Sequence, residues 1–239
     1  MTRAERNFPA HENPRVPHVN SRSDFISEPV LNWANSRGIE ITPAQLDALA
    51  AYQQRVLDVN KYINLTAITD PADFAVKHFI DSLTLLPHLP HLPHKTNLID
   101  IGTGAGFPGM VLRIMRDDLH ITLLDSTRKR VNFLRETSEQ LGLPTESVHA
   151  RAEDFAREHG AIFDICTARA VAGMDRLAGW ALPLVRSGGA FLAMKGPDVA
   201  EELEKAAPAI KKFGGRIEDI CAVEIADGLK RSIVIIRKI

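Results

Sequence analysis

The stretch Asp100-Ile101-Gly102-Thr103-Gly104-Ala105-Gly106-Phe107-Pro108-Gly109 decides how the rest of the chain is read. It begins within residues 98–101, a short apolar run of the kind that forms a strand buried on both faces. Glycines at that point allow a tight turn and let a ligand approach bare backbone at a helix N-terminus. Gly104, Gly106 and Gly109 fit the G-x-G-x-x-G spacing of dinucleotide sites. In that fingerprint, however, the first glycine closes the strand, and here Gly102 holds the place, with Asp100 two residues before it. An acid there repels a pyrophosphate but suits the ammonium of an amino-acid moiety. S-adenosylmethionine has such an ammonium and no phosphate, and it is the favoured ligand. A dinucleotide, or a glycine turn packing helix on strand without ligand, are the competing readings. Asp125 closes the next apolar run, about 20 residues on, where a carboxylate accepts hydrogen bonds from a ribose under either ligand reading.

Outward from this loop, apolar runs at 98–101, 120–124, 147–150, 164–167 and 190–194 alternate with amphipathic stretches, including helices expected from 107, over 127–141 and over 198–212. That alternation predicts a doubly wound parallel sheet covered on both faces. Two further strand-like segments, 217–225 and 229–236, are joined by the turn Asp227-Gly228. A terminal hairpin of this kind suits class I methyltransferases better than dinucleotide dehydrogenases. The expected fold is therefore an α/β, Rossmann-like doubly wound sheet with a C-terminal antiparallel hairpin, preceded by N-terminal helices.

Residues 1–22, rich in Pro, Asn, Arg and His, read as a flexible tail. In the helical region from 23 to 96, Thr42-Pro43 with Gln45 is a capping-box start. Asp70-Pro71 opens another helix that carries Phe74, His78 and Leu85. Asn64-Leu65-Thr66 reads as a turn or cap, and the three prolines of 87–94 predict a solvated linker before a domain spanning 97–239. The 239 residues are 45% apolar, with 29 basic and 30 acidic side chains, which excludes wholesale disorder and indiscriminate polyanion binding but not a local basic patch. Two cysteines exclude a disulfide scaffold, and no metal site is expected. No run approaches a membrane span, and the first residues lack a secretion signal, so a cytoplasmic location is expected, and a monomer is the separate expectation for the oligomeric state.

DIGTGAGFPG, together with LLDSTRKRVNFL (123–134), RAEDF (151–155), TARAV (167–171), NLTAI (64–68) and KHFIDSL (77–83), closely resembles the ribosomal RNA small subunit methyltransferase G family, also called glucose-inhibited division protein B. The resemblance runs over about residues 25–239. It implies a class I fold that moves a methyl group from S-adenosylmethionine to N7 of one guanine in the 530 loop of 16S rRNA, free or in the 30S subunit. It also implies cofactor contacts from Gly102, Phe107, Ala152, Glu153 and Arg169. Gly104 and Asp125 join this set from the loop reading. Phe107 has a second reading as a core aromatic, Glu153 as a helix-start acid, and Arg169 as the partner of Asp164 or Asp175.

Guanine N7 carries an in-plane lone pair, so no general base is required and alignment is the chief requirement. Neither an N/D-P-P-Y motif nor a Pro-Cys pair is present, and Cys166 reads as a buried thiol. Lys195, closing the fifth strand, is the candidate for orienting substrate. Arg128, Lys129 and Arg130, with Arg135 beyond, place cations in the first turn of a helix, where the dipole disfavours them. A phosphate-facing role accounts for them better than a solvated helix face. Lys211, Lys212, Arg216, Lys230 and Arg231 are weaker RNA candidates. His78, Asp81 and Ser82 belong to a family motif with no assigned chemistry. A methyltransferase of another substrate, or a non-catalytic cofactor-dependent RNA-binding protein, are the alternatives that methyl transfer to RNA separates.

Overall fold

Apolar runs buried on both faces need neighbours on both edges, and the chain supplies them as five parallel strands: β1 (Thr96–Ile101), β2 (Leu119–Asp125), β3 (Glu146–His149), β4 (Phe163–Arg169) and β5 (Val185–Lys195). The hairpin β6 (Gly215–Ala226) and β7 (Leu229–Lys238) completes the sheet, β7 lying antiparallel between β5 and β6. The order β3-β2-β1-β4-β5-β7-β6 reverses direction between β1 and β4, the point at which open α/β sheets bind ligands beyond the strand C-termini. This computed structural model describes residues 24–239 apart from 93 and 170, so the expected flexible tail, 1–22, lies outside the described residues.

Adjacent residues of β1 serve opposite faces. Leu98 packs into the core shared with the N-terminal helices, and Ile99 into the core on the other face. The first core is covered by α1 (Asp24–Asn35), α2 (Pro43–Asn60), α5 (Gly109–Met115) and α6 (Arg128–Leu141). The second lies under α7 (Ala152–His159), α8 (Met174–Ala181) and α9 (Ala200–Lys212). Thr42 and Gln45 form the expected capping box of α2.

Three local readings change. The helix after the glycine loop starts at Gly109 rather than Phe107, because Gly106 N and Phe107 N both bond back to Thr103 O, winding a turn first. The helix from Pro71 is not uniform: α3 (Pro71–Phe74) widens into a π-helix over Ala75–Ile80 before α4 (Asp81–Leu83), and such bulges recur at functional sites. The proline-rich stretch is not wholly solvated, since Leu89 is only 5% exposed within the first core. Among the described residues no helix is long and apolar enough to cross a membrane.

Candidate functional site

The glycine loop is built by hydrogen bonds that only its sequence permits. Gly102 N and Thr103 N both bond Leu124 O, at 2.8 and 3.1 Å, carrying the β1–β2 register into the loop. Gly102, Gly104 and Gly106 have φ of 64°, 62° and 103°, conformations that cost a residue with a Cβ dearly. At Gly106 the space is also taken, because a Cβ there would stand 2.5 Å from Tyr52 Oη and 2.6 Å from Met110 Cγ.

Asp100 does not face the cleft as an ammonium partner, which corrects the sequence expectation. Its carboxylate is fully buried and accepts from Thr103 Oγ1 at 2.6 Å, Gly109 N at 2.9 Å and Thr167 Oγ1 at 3.2 Å. It ties both ends of the loop to β4. Burial pushes its pKa up to about 6, against the lowering effect of those hydrogen bonds.

Beyond the loop lies an open cleft lined by Gly102, Asp125, Ala152, Glu153, Val171 and Trp180 among others. Four of the seven cofactor residues expected from the sequence therefore meet here, brought from the ends of β1 and β2 and the start of α7. Glu153 is exposed in the first turn of α7 and lines the cleft, a position open to either of its readings, cofactor contact or helix-start acid. Asp125 lines the cleft while its oxygens accept from Gly104 N at 2.9 Å and Thr127 N at 2.8 Å. Gly104 thus braces the wall through Asp125 rather than lining the cleft.

Phe107 is only 3% exposed and belongs to an aromatic core, its ring stacked on His78 at 4.3 Å and 6° and packed with Tyr52 and Phe74 at 5.3 and 5.6 Å. Of its two readings the geometry follows the core aromatic. Arg169 pairs with neither Asp164 nor Asp175. It bonds Lys77 O at 2.7 Å, Asp81 Oδ2 at 3.2 Å and His78 Nδ1 at 3.0 Å, and its guanidinium lies 5.1 Å from the Phe107 ring. Arginine can only donate, so His78 Nδ1 accepts, which leaves Nε2–H to donate to Thr66 Oγ1 at 2.8 Å. Burial first, and the Arg169 charge second, lower the His78 pKa to about 3, so the imidazole is neutral. The motif residues His78 and Asp81 thereby acquire a role, clamping the end of β4 to the N-terminal helices. Ser82 stays local, donating to His78 O at 2.6 Å.

Lys195 is a further correction. Its ammonium bonds Glu202 Oε1 at 2.6 Å and Ala172 O at 2.9 Å with the side chain 10% exposed, so it holds α9 against the loop after β4 rather than reaching toward a substrate. The basic cluster splits as well. Arg128 and Lys129 are exposed, whereas Arg130 leans on the cleft residue Asp125 at 3.6 Å. Cys166 is fully buried in β4, as its sequence reading has it.

Sequence reasoning misses Trp180 in the cleft, because a tryptophan in an amphipathic helix carries no mark of the face it serves. The only other tryptophan, Trp33, bonds Glu224 O on the hairpin. Titration with S-adenosylhomocysteine is therefore expected to change the intrinsic fluorescence of the wild type and of Trp33→Phe, and to leave Trp180→Phe silent. The latter should also bind about fivefold more weakly, the scale of a lost aromatic contact. A response surviving in Trp180→Phe would move the ligand elsewhere.

The residues fit S-adenosylmethionine. The absence of a Cβ on Gly102 keeps open the space before Val171, whose Cγ1 a Cβ would meet at 2.8 Å, and Asp125 and Glu153 supply acceptors at the rim. Comparison with known proteins agrees. A solved S-adenosylmethionine-dependent methyltransferase from Aquifex aeolicus shares the fold, with a TM-score of 0.50 and 16% identity, over 70% of this chain and 93% of its own. The ribosomal RNA small subunit methyltransferase G of Clostridium botulinum (strain Alaska E43 / Type E3) is 45% identical over 86% of this chain and 87% of its own length. That of Pelotomaculum thermopropionicum is 44% identical over 90% and 91%. With the model of rRNA small subunit methyltransferase G matching residues 45–232, the chain belongs to that methyltransferase family.

Proposed function

We propose that the protein methylates N7 of a guanine in the 530 loop of 16S rRNA, acting in the cytoplasm as a monomer on the rRNA or on the 30S subunit. The observation that carries this reading is the cleft at the β1/β4 switch point, with the exposed cations Arg128 and Lys129 beginning the helix that follows its Asp125 wall. S-adenosylmethionine, when bound, supplies a methyl group activated on a sulfonium sulfur. The chain's own work is then to bind and align. Asp100 holds the loop in shape, Asp125 and Glu153 offer carboxylates to polar groups in the cleft, and Val171 and Trp180 supply its apolar wall. Guanine N7 needs no deprotonation before attack, so orientation suffices and no side chain has to act as a base.

The test is incubation with methyl-labelled S-adenosylmethionine and 30S subunits from cells lacking the modification. Label at one 530-loop guanine, at a site susceptible to the chain cleavage that N7-methylguanine permits, is expected. No label on 30S subunits or on extracted 16S rRNA, from protein that binds the cofactor, removes the substrate assignment.

The split of the basic cluster sharpens a second expectation. Arg128→Glu with Lys129→Glu should weaken rRNA binding about tenfold or more and lower the salt dependence by about two counterions, leaving S-adenosylhomocysteine affinity unchanged. Arg130→Glu should weaken cofactor binding too, through Asp125. Undiminished rRNA affinity in the double variant would take this patch out of the interface.

A further inference from the structure

Tyr62 is the most exposed of the large apolar side chains among the described residues, at 86%, and its loop is held rather than loose. Tyr62 N bonds Val59 O at 2.9 Å and Ile63 N bonds the same oxygen at 3.1 Å. The Asn60 amide clamps the other end: its Oδ1 accepts from Leu65 N at 2.8 Å and Thr66 N at 3.0 Å, and its Nδ2 donates to Thr66 O at 3.0 Å. Leu65 is buried beneath. The ring is thus displayed by a loop whose backbone is anchored on both sides.

The position follows from helix geometry. α2 begins beside the far end of α5, where Gln45 Nε2 bonds Met115 O, and passes the glycine loop at Tyr52, whose hydroxyl bonds Ala105 O. It therefore runs toward the strand C-termini, antiparallel to α6, with Arg55 and Glu136 paired at 3.1 Å. From that pair α2 climbs about 8 Å to Asn60, and α6 about 12 Å back to Arg128, so both reach one rim. Thr66 also links the loop through His78 to Phe107 of the glycine loop. Among the described residues the other exposed large apolar side chains are Ile162, Ile220 and Ile239, none of them in the Tyr62 loop.

From the rRNA reading above, we infer that Tyr62 is a platform on which an unpaired base of the substrate stacks while the cations at the start of α6 hold the backbone. An aromatic face displayed from an anchored loop, on the rim where α6 presents its cations, is the arrangement that single-stranded RNA engages, and stacking is tolerant of which base it receives. A protein surface would instead meet an aromatic anchor surrounded by apolar contacts.

The test uses the full chain and measures affinity for 30S subunits and for extracted 16S rRNA, together with S-adenosylhomocysteine affinity and melting temperature. Tyr62→Ala is expected to weaken binding to both RNA substrates about tenfold, with cofactor affinity, melting temperature and salt slope unchanged. Tyr62→Phe, which keeps the ring, should lie within about twofold of wild type on the same reasoning. Unchanged RNA affinity in Tyr62→Ala, or equal loss in both variants, overturns the platform. Loss on 30S subunits alone assigns Tyr62 to a protein neighbour and overturns it as well. If the wild type neither binds nor methylates either substrate, the rRNA reading itself falls, an outcome distinct from failure of the tyrosine.

Discussion

Asp100→Ala should lower stability by about 3 kcal/mol or more and abolish S-adenosylhomocysteine binding, whereas Asp100→Asn should cost about 1 kcal/mol and retain binding. Three buried donors converge on this carboxylate, from Thr103, Gly109 and Thr167. Each donor left without an acceptor costs about 1–3 kcal/mol. Alanine orphans all three and frees the glycine loop from β4. Asparagine keeps an oxygen for Thr103 and Gly109, and its amide can donate to the Thr167 hydroxyl, which accepts as readily as it donates. It also removes a desolvated charge.

The pH dependence separates this account from a purely steric one. The folded pKa of Asp100 is raised to about 6. Between the ordinary carboxylate range and that value the folded state binds more protons than the unfolded, so stability from this group falls as pH rises. The stability of Asp100→Asn relative to wild type should therefore improve from about pH 4 to about pH 6 and level off above. Denaturant melts across that window, with calorimetric titration of the cofactor product, provide the check. Equal destabilisation by Ala and Asn, or a flat difference with pH, would refute the anchoring role.

Asp100 also marks where the sequence was informative and where it stopped. The carboxylate type and its place before Gly102 singled out the loop, but a line of residues does not say whether an acid points at a ligand or back at its own backbone. Strand and helix order was legible because burial on both faces leaves continuous apolar runs, as in β1 and β5, and because turns such as Asp227-Gly228 carry their own chemistry. Gly102 and Asp125 could be gathered into one cleft because strand C-termini in a doubly wound sheet share an edge, whereas Ala152 and Glu153 joined them only through the family resemblance. Lys195 and Arg130 could not be placed in the same way. Their partners, Glu202 and Asp125, are set by side-chain directions at helix and strand ends, which periodicity does not encode. The π-helix over Ala75–Ile80 likewise leaves no pattern, because an inserted residue in a helix shifts register without changing composition.

The other large effect is expected at Arg169, where one guanidinium serves three acceptors on the π-helical segment and the residue after it. Arg169→Ala strands the Asp81 carboxylate, which burial already pushes upward in pKa, with only Arg231 at 3.5 Å. Removing one member of a buried pair costs about 3–5 kcal/mol. Arg169→Lys should recover little, since a single ammonium cannot present the planar fork that reaches Lys77 O, Asp81 and His78 together. His78 supplies the discriminating signature. Its folded pKa of about 3 lies below the unfolded value, so the unfolded state binds the extra proton and wild-type stability from this residue is lost as pH falls below about 6.5. Removing the Arg169 charge lets His78, and the stranded Asp81 with it, hold a proton more readily in the folded state. Arg169→Ala should therefore be less stable at about pH 7 yet show a shallower loss between about pH 6.5 and about pH 4.5. His78→Asn should show a profile shallower still, because burial is the larger cause of the His78 shift, with a smaller loss near neutral pH, because the arginine keeps Asp81. A variant Arg169→Ala with wild-type steepness would mean that the clamp between β4 and the N-terminal helices does not set the protonation of His78, and that the two residues are neighbours without being coupled.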